Sequence, residues 1–256
     1  MKTIIEQLVE DPNILNLYHF GSYVYGTRQP TSDMDYIAIC HQLPEYGTLY
    51  DQDLVCVHFI TLTNFQLLLS NCDIQALECF YLNPKYILKA SATLHFELNK
   101  EALRRSISTI ASNSFVKGKK KLIVQGDYNK WLAIKSVFHS LRILDFGIQI
   151  ANSGKIEDYS SLNWLLADLI KLSENKEAVE LWELIDQKYR ELYNSKSSEF
   201  RKLCPINKQE NIILNKKDKS VMIGKTKIDF HTEGDVMESV MQLLKELDIN
   251  FTIHRK

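Results

Sequence analysis

The sequence predicts an α/β domain followed by an α-helical domain. Three observations carry this. Helical and strand patterns alternate over the first ninety or so residues, which layers helices on a sheet. From Asn99 to about Lys202 the apolar residues recur at helical spacing. After Pro205 the chain becomes polar and lysine-rich with short apolar runs. The expected division is therefore residues 1–97, 98–203 and 204–256, the last a small C-terminal appendage.

Residues 1–10 read as a helix that ends near Asp11 and Pro12. Residues 15–20 read as a short strand, and Gly21 gives the backbone freedom that a sharp strand-to-helix turn needs while letting phosphate approach the main chain. Ser22, at the helix start, can cap the helix without a ligand and donate to phosphate with one. The β-branched run 34–40 continues as a buried strand, and period two puts Asp33 and Asp35 on one face. The next strand is expected over 53–61. Thr63 or Asn64 starts a helix through Leu69, and Asp73 caps another running to Leu82, which Asn83 and Pro84 stop.

Asn99 caps a long helix in which Leu103, Ile107, Ile110, Ala111, Ser114 and Leu122 share helical spacing, toward the basic run Lys117, Lys119, Lys120 and Lys121. That run complements the helix dipole or extends a phosphate-binding surface. The helix over about 128–151 is apolar on most of its circumference. Its exception is a stripe of Lys135, His139 and Arg142, which is either a solvated face or a cationic wall facing a cleft between the two domains. Helices over 161–171 and 175–193 complete a bundle, with Trp131 and Trp164 at helix-packing positions. In the appendage, 225–231 reads as a strand. Residues 235–247 read as an amphipathic helix with Val236, Val240, Leu243, Leu244 and Leu247 on one stripe.

The chemistry concentrates in the first forty residues. Two carboxylates one residue apart repel each other and lose solvation, and a divalent cation resolves that conflict. Magnesium takes hard oxygen ligands, usually one or two carboxylates plus substrate phosphates. A Gly-Ser turn or an Asp-x-Asp pair alone is an ordinary solvated loop feature. In the order strand, Gly21-Ser22, a second glycine at Gly26, ten residues between Ser22 and Asp33, Asp33-Met34-Asp35, apolar strand, they resemble the signature of the DNA polymerase beta nucleotidyltransferase superfamily. Tyr25-Gly26, Thr31-Ser32, Ala76-Leu77-Glu78-Cys79 and Lys135-Ser136 with His139-Ser140-Leu141-Arg142 resemble more narrowly its uncharacterised bacterial and phage members, including the group associated with RNA repair. The resemblance covers about residues 15–150.

This resemblance implies a mixed sheet flanked by helices and the transfer of a nucleoside monophosphate from a nucleoside triphosphate to an acceptor hydroxyl, with release of pyrophosphate. Asp33 and Asp35 would be catalytic and hold Mg2+, with Mn2+ as the alternative. Gly21 and Ser22 would hold the triphosphate, and Arg28, Ser32, Lys135, His139 and Arg142 join them as nucleotide-binding candidates. Glu78 reads as a surface or capping-network residue, to which the resemblance adds a candidate role near the nucleotide. Acceptors are RNA ends, a protein or a small molecule.

One position departs from the pattern. The family's third carboxylate falls at Cys56, a soft ligand that suits magnesium poorly. Three alternatives follow: Asp53 reaches the site instead, two carboxylates suffice, or the chain is a catalytically silent nucleotide-binding or regulatory module. His58 shares a strand face with Cys56, either as a satisfied structural residue or pointing the same way.

Composition bounds the rest. With 256 residues, 45% hydrophobic and 25% charged, the chain is an ordinary soluble composition with room for two domains. A net charge of −1 gives no global attraction to nucleic acid, so RNA binding would need a local patch. Five cysteines without C-x-x-C spacing fit a reducing cytoplasm. Glu6 sits where a signal peptide needs its apolar core, and no apolar run approaches a membrane span.

Overall fold

The structure, a computed structural model, describes residues 2–45, 48–51, 54–205, 212–215, 220–223 and 226–229. It is α/β. Among these residues eight α-helices accompany a five-stranded mixed sheet and a separate three-stranded sheet. Met1–Pro205 forms one compact unit and Ile206–Lys256 another.

In the first unit α1 (Ile4–Glu10) begins with a capping box, in which Thr3 Oγ1 accepts from the Glu6 amide and the Glu6 carboxylate accepts from the Thr3 amide. This satisfies donors that a helix start leaves unpaired. There follow β1 (Ile14–Phe20), α2 (Ser22–Tyr25), β2 (Met34–Cys40), β3 (Thr48–Asp51), β4 (Val55–Thr61), α3 (Leu62–Ser70), α4 (Ile74–Phe80) and β5 (Ile87–Ala90). The sheet order is β3-β4-β2-β1-β5. β2 and β4 run parallel, and the other neighbours are antiparallel. The two edge strands, β3 and β5, have four residues each, too short for the sequence pattern to announce. β4 starts two residues later than expected, after Leu54 in the left-handed region (φ 58°). Asp53 lies outside the described residues.

Alternation along the strands divides the sheet's faces. Leu17, Tyr36, Ala38, Val57 and Phe59 share a core with Leu8 of α1. Tyr18, Ile37 and Ile39 share another with Phe65 and Leu69 of α3 and Leu77 of α4. Asp35, two residues before Ile37, belongs to this second face.

The remaining helices are α5 (Lys100–Ile123), α6 (Lys130–Ser153), α7 (Asn163–Ser173) and α8 (Ala178–Leu203). Asn99 caps α5 and Asn129 caps α6, each accepting backbone amides of the first turn. A Cβ on Gly118 of α5 would lie 2.7 Å from Val137 Cγ2 of α6, so glycine permits the close approach of these two helices. Leu103 and Ile107 of α5 and Ile143 and Phe146 of α6 join the core beneath the sheet. Phe115 and Leu122, with Val137 and Leu141, form a second core with Leu165 of α7 and Leu181 and Ile185 of α8. α8 runs past the expected end at 193 because Phe200 continues its buried stripe.

All five cysteines are buried and none forms a disulfide. Among the described residues no helix is long and apolar enough to cross a membrane. In the second unit β6 (Ile212–Asn215), β7 (Ser220–Ile223) and β8 (Thr226–Asp229) form an antiparallel meander. β8 falls within the strand expected over 225–231, and the helix expected over 235–247 lies outside the described residues.

Candidate active site

Gly21 ends β1 and occupies the N-cap of α2 with φ 70° and ψ −147°, a conformation essentially restricted to glycine. A Cβ there would overlap Asp35 Oδ2. The β1–β2 register, which pairs Phe20 with Asp35, enforces this proximity. Ser22 is the first helical residue and not the cap, which corrects its expected capping role. α2 is held in place from the far side by Asn163 of α7, whose Nδ2 donates to the Tyr25 carbonyl at 2.8 Å.

Asp33 is exposed and just precedes β2, while Asp35 is half-buried on the strand. Both line a cleft of about 520 Å³, together with Gly21, Ser22 and Ser32. That volume is in the range of small-molecule sites. Burial raises the Asp35 pKa, the Asp33 charge adds to the rise, and His58 and Lys135 oppose it. A cation would relieve that stress. The two carboxylates are hard donors that fit magnesium.

The parallel β2–β4 register pairs Asp35 with Cys56 and Ile37 with His58. Cys56 Sγ lies 3.4 Å from His58 Nε2, and His58 Nδ1 lies 3.5 Å from Thr48 Oγ1. One ligand atom from each of Asp35, Cys56 and His58 falls within 4.8 Å of the other two. His58 therefore points the same way as Cys56, and the corner next to Asp35 is sulfur and nitrogen, which suit magnesium poorly.

The opposite wall comes from α5 and α6. Lys135, His139 and Arg142, the stripe on α6, line the same cleft as the two aspartates, with Lys117 of α5 beside them. Lys117 and Lys135 are exposed, whereas Arg142 is buried. Its guanidinium lies 3.6 Å above the Tyr25 ring centroid, and Nη2 donates to His139 Nδ1 at 3.0 Å. The Tyr25 hydroxyl donates to Glu78 Oε2 at 2.5 Å. Burial pushes the His139 pKa down to about 3, helped by the charges of Arg142, Lys117 and Lys135. His139 is thus a neutral acceptor, which corrects its expected place in a cationic wall.

Glu78 is only 2% exposed, a correction to its expected place at the surface. Burial raises its pKa to about 7 against the pull of Arg142 and the bond from Tyr25. Among the described residues Glu78 Oε1 and Arg142 Nε have no hydrogen-bond partner, and both residues line the cleft. Buried polar groups are normally satisfied, which makes these two atoms exceptions in the wall of the cleft.

Two further expectations change. Arg28 is exposed on the loop after α2 and does not line the cleft, its charge acting on Tyr36 instead. Trp131 and Trp164 are 43% and 55% exposed, and Trp131 lines the cleft with Lys135 Nζ 5.9 Å from its ring. Ser32 both lines the cleft and orders its loop, accepting from the Gln29 amide at 3.0 Å.

Sequence reasoning missed Tyr25 as the link between Glu78 and Arg142. The signal was an acid inside the apolar segment 76–79 and an arginine inside an apolar helix, each of which needs a buried partner. Asp73 also lines the cleft while its Oδ1 caps α4. No protein-family model matches the chain, and no curated protein matches it significantly.

Proposed function

We propose that this chain is a metal-dependent nucleotidyltransferase with the domain architecture of the DNA polymerase beta superfamily, moving a nucleoside monophosphate from a nucleoside triphosphate to an acceptor hydroxyl with release of pyrophosphate. The observation that carries the reading is one cleft with Gly21, Ser22, Asp33 and Asp35 on its sheet side and the exposed Lys117 and Lys135 on its helical side. Carboxylates facing cations across a nucleotide-sized space suit a polyanion bound through a metal.

Gly21 lets phosphate oxygens come close to the backbone, and the Ser22 hydroxyl donates to them. Lys117 and Lys135 balance the charge of the triphosphate tail, and the Trp131 ring offers a face for a base or an acceptor. Mg2+ held by Asp33 and Asp35 would neutralise charge on the transferred phosphoryl group and lower the pKa of the attacking hydroxyl. RNA ends, a protein and a small molecule all supply such a hydroxyl. Incubation with each labelled nucleoside triphosphate, Mg2+ and total cellular RNA or protein tests the reading. Label carried onto a macromolecule or metabolite only with Mg2+ supports it, and no transfer to any acceptor class opposes it.

A second reading is a silent nucleotide-binding module of the same fold, favoured by Cys56 standing beside Asp35. Calorimetry that finds magnesium-dependent triphosphate binding without pyrophosphate release would favour it. Gain of transfer in Cys56→Asp would show that only the third carboxylate is missing.

A further inference from the structure

We propose that Asp35, Cys56 and His58 form a binding site for a thiophilic divalent cation, zinc foremost. The fold builds this site from two rules. Period two along β4 puts Cys56 and His58 on the same face, and the parallel register with β2 sets Cys56 beside Asp35. The result is one oxygen, one sulfur and one nitrogen ligand atom, all within 4.8 Å of one another.

The spacing suits zinc. Tetrahedral coordination with Zn–S of about 2.3 Å and Zn–N of about 2.0 Å sets sulfur and nitrogen roughly 3.5 Å apart. Cys56 Sγ and His58 Nε2 are 3.4 Å apart, so a cation fits between them without moving the strand. Asp35, with a carboxylate oxygen within 4.8 Å of both, supplies the third ligand, and because it also lines the cleft, the fourth position is left for water or a substrate oxygen.

The ring of His58 is already oriented for this role. Thr48 Oγ1, on the neighbouring strand β3, lies 3.5 Å from Nδ1. A proton on Nδ1 directed at that hydroxyl leaves the lone pair of Nε2 facing Cys56, an arrangement common behind metal-bound histidines. Cys56 binds as the thiolate, so its S–H proton passes to solvent when the metal enters. Magnesium gains little from sulfur and imidazole, whereas zinc and cobalt favour both. The site shares Asp35 with the transfer reading but does not rest on it, and its test reads metal binding alone.

The experiment is a titration of the chelator-treated full chain with Co2+, followed by thiolate-to-cobalt charge-transfer absorption. One equivalent should develop the band, Zn2+ should abolish it, and a large excess of Mg2+ should leave it in place. Cys56→Ser should remove the band, and His58→Gln should weaken cobalt binding about tenfold or more. X-ray absorption of the zinc-loaded unmodified chain should find a single sulfur at about 2.3 Å. That measurement decides the matter if Cys56→Ser fails to fold. Absence of sulfur from the zinc shell, or a band that persists in Cys56→Ser, would overturn the proposal. The labelled-nucleotide assay fails or succeeds independently of these outcomes.

Discussion

The Arg142 guanidinium lies 3.6 Å above the ring of Tyr25, and that ring's hydroxyl bonds Glu78 at 2.5 Å, so one aromatic side chain separates a buried cation from a buried acid. The three residues belong to α6, α2 and α4. They tie the Gly21-Ser22 turn to the helical wall of the cleft. Removing one member of a buried pair costs about 3–5 kcal/mol when the other stays charged. Arg142→Met should therefore destabilise by about 3 kcal/mol at pH 8, and by less at pH 5, where Glu78 takes up a proton. Denaturant unfolding at the two pH values checks this.

Glu78 and His139 should give opposite pH dependences. The folded pKa of Glu78, about 7, lies above its ordinary 4.5, so its contribution to stability is complete below pH 4.5 and is lost as pH rises through 7. The folded pKa of His139, about 3, lies below its ordinary 6.5, so its contribution is complete above 6.5 and is lost as pH falls toward 3. Glu78→Gln should flatten the decline in Tm between pH 4.5 and 7. His139→Gln should flatten the decline below pH 6.5. Tm profiles of the two variants against the unmodified chain are the measurement.

Gly21→Ala should be costly for two separable reasons. The positive φ strains any L side chain by about 1–2 kcal/mol, and the new Cβ must push the Asp35 carboxylate aside. A fall in Tm accompanied by loss of magnesium-dependent triphosphate binding is expected. Gly126, with φ 82° and nothing within 4 Å of an added Cβ, is the control. Gly126→Ala should show only the backbone cost, with binding unchanged.

Asp33→Asn and Asp35→Asn should leave the fold intact and cut transfer about a hundredfold or more, the equivalent of several kcal/mol of lost charge stabilisation. Asp35→Asn should not lower Tm, because burial and Asp33 already disfavour its charge. A variant that keeps half its activity would sink the catalytic assignment.

Lys135→Ala removes an exposed side chain, so Tm should hold while triphosphate binding measured by calorimetry weakens about tenfold at low salt and less at high salt. Equal binding in the variant would return Lys135 to the role of a solvated residue.

Local chemistry was legible in the sequence. Gly21, Asp73 and Asn99 act within a few residues of themselves, in a turn or a helix cap, and Asp33-x-Asp35 announces paired carboxylates without any fold. The tertiary structure decided what was non-local. The edge strands β3 and β5 exist because β4 and β1 offer them backbone partners, which four residues cannot signal alone. The β2–β4 register, set by packing on both faces of the sheet, turned Cys56 and His58 from strand residues into neighbours of Asp35. Tyr25 and Glu78 lie 53 positions apart and meet only because α2, α4 and α6 share one core. Their burial, invisible in the residue types, moves Glu78 up to about 7 and His139 down to about 3. A pattern in sequence specifies which groups are present, and packing fixes which of them lose water and to whom they turn.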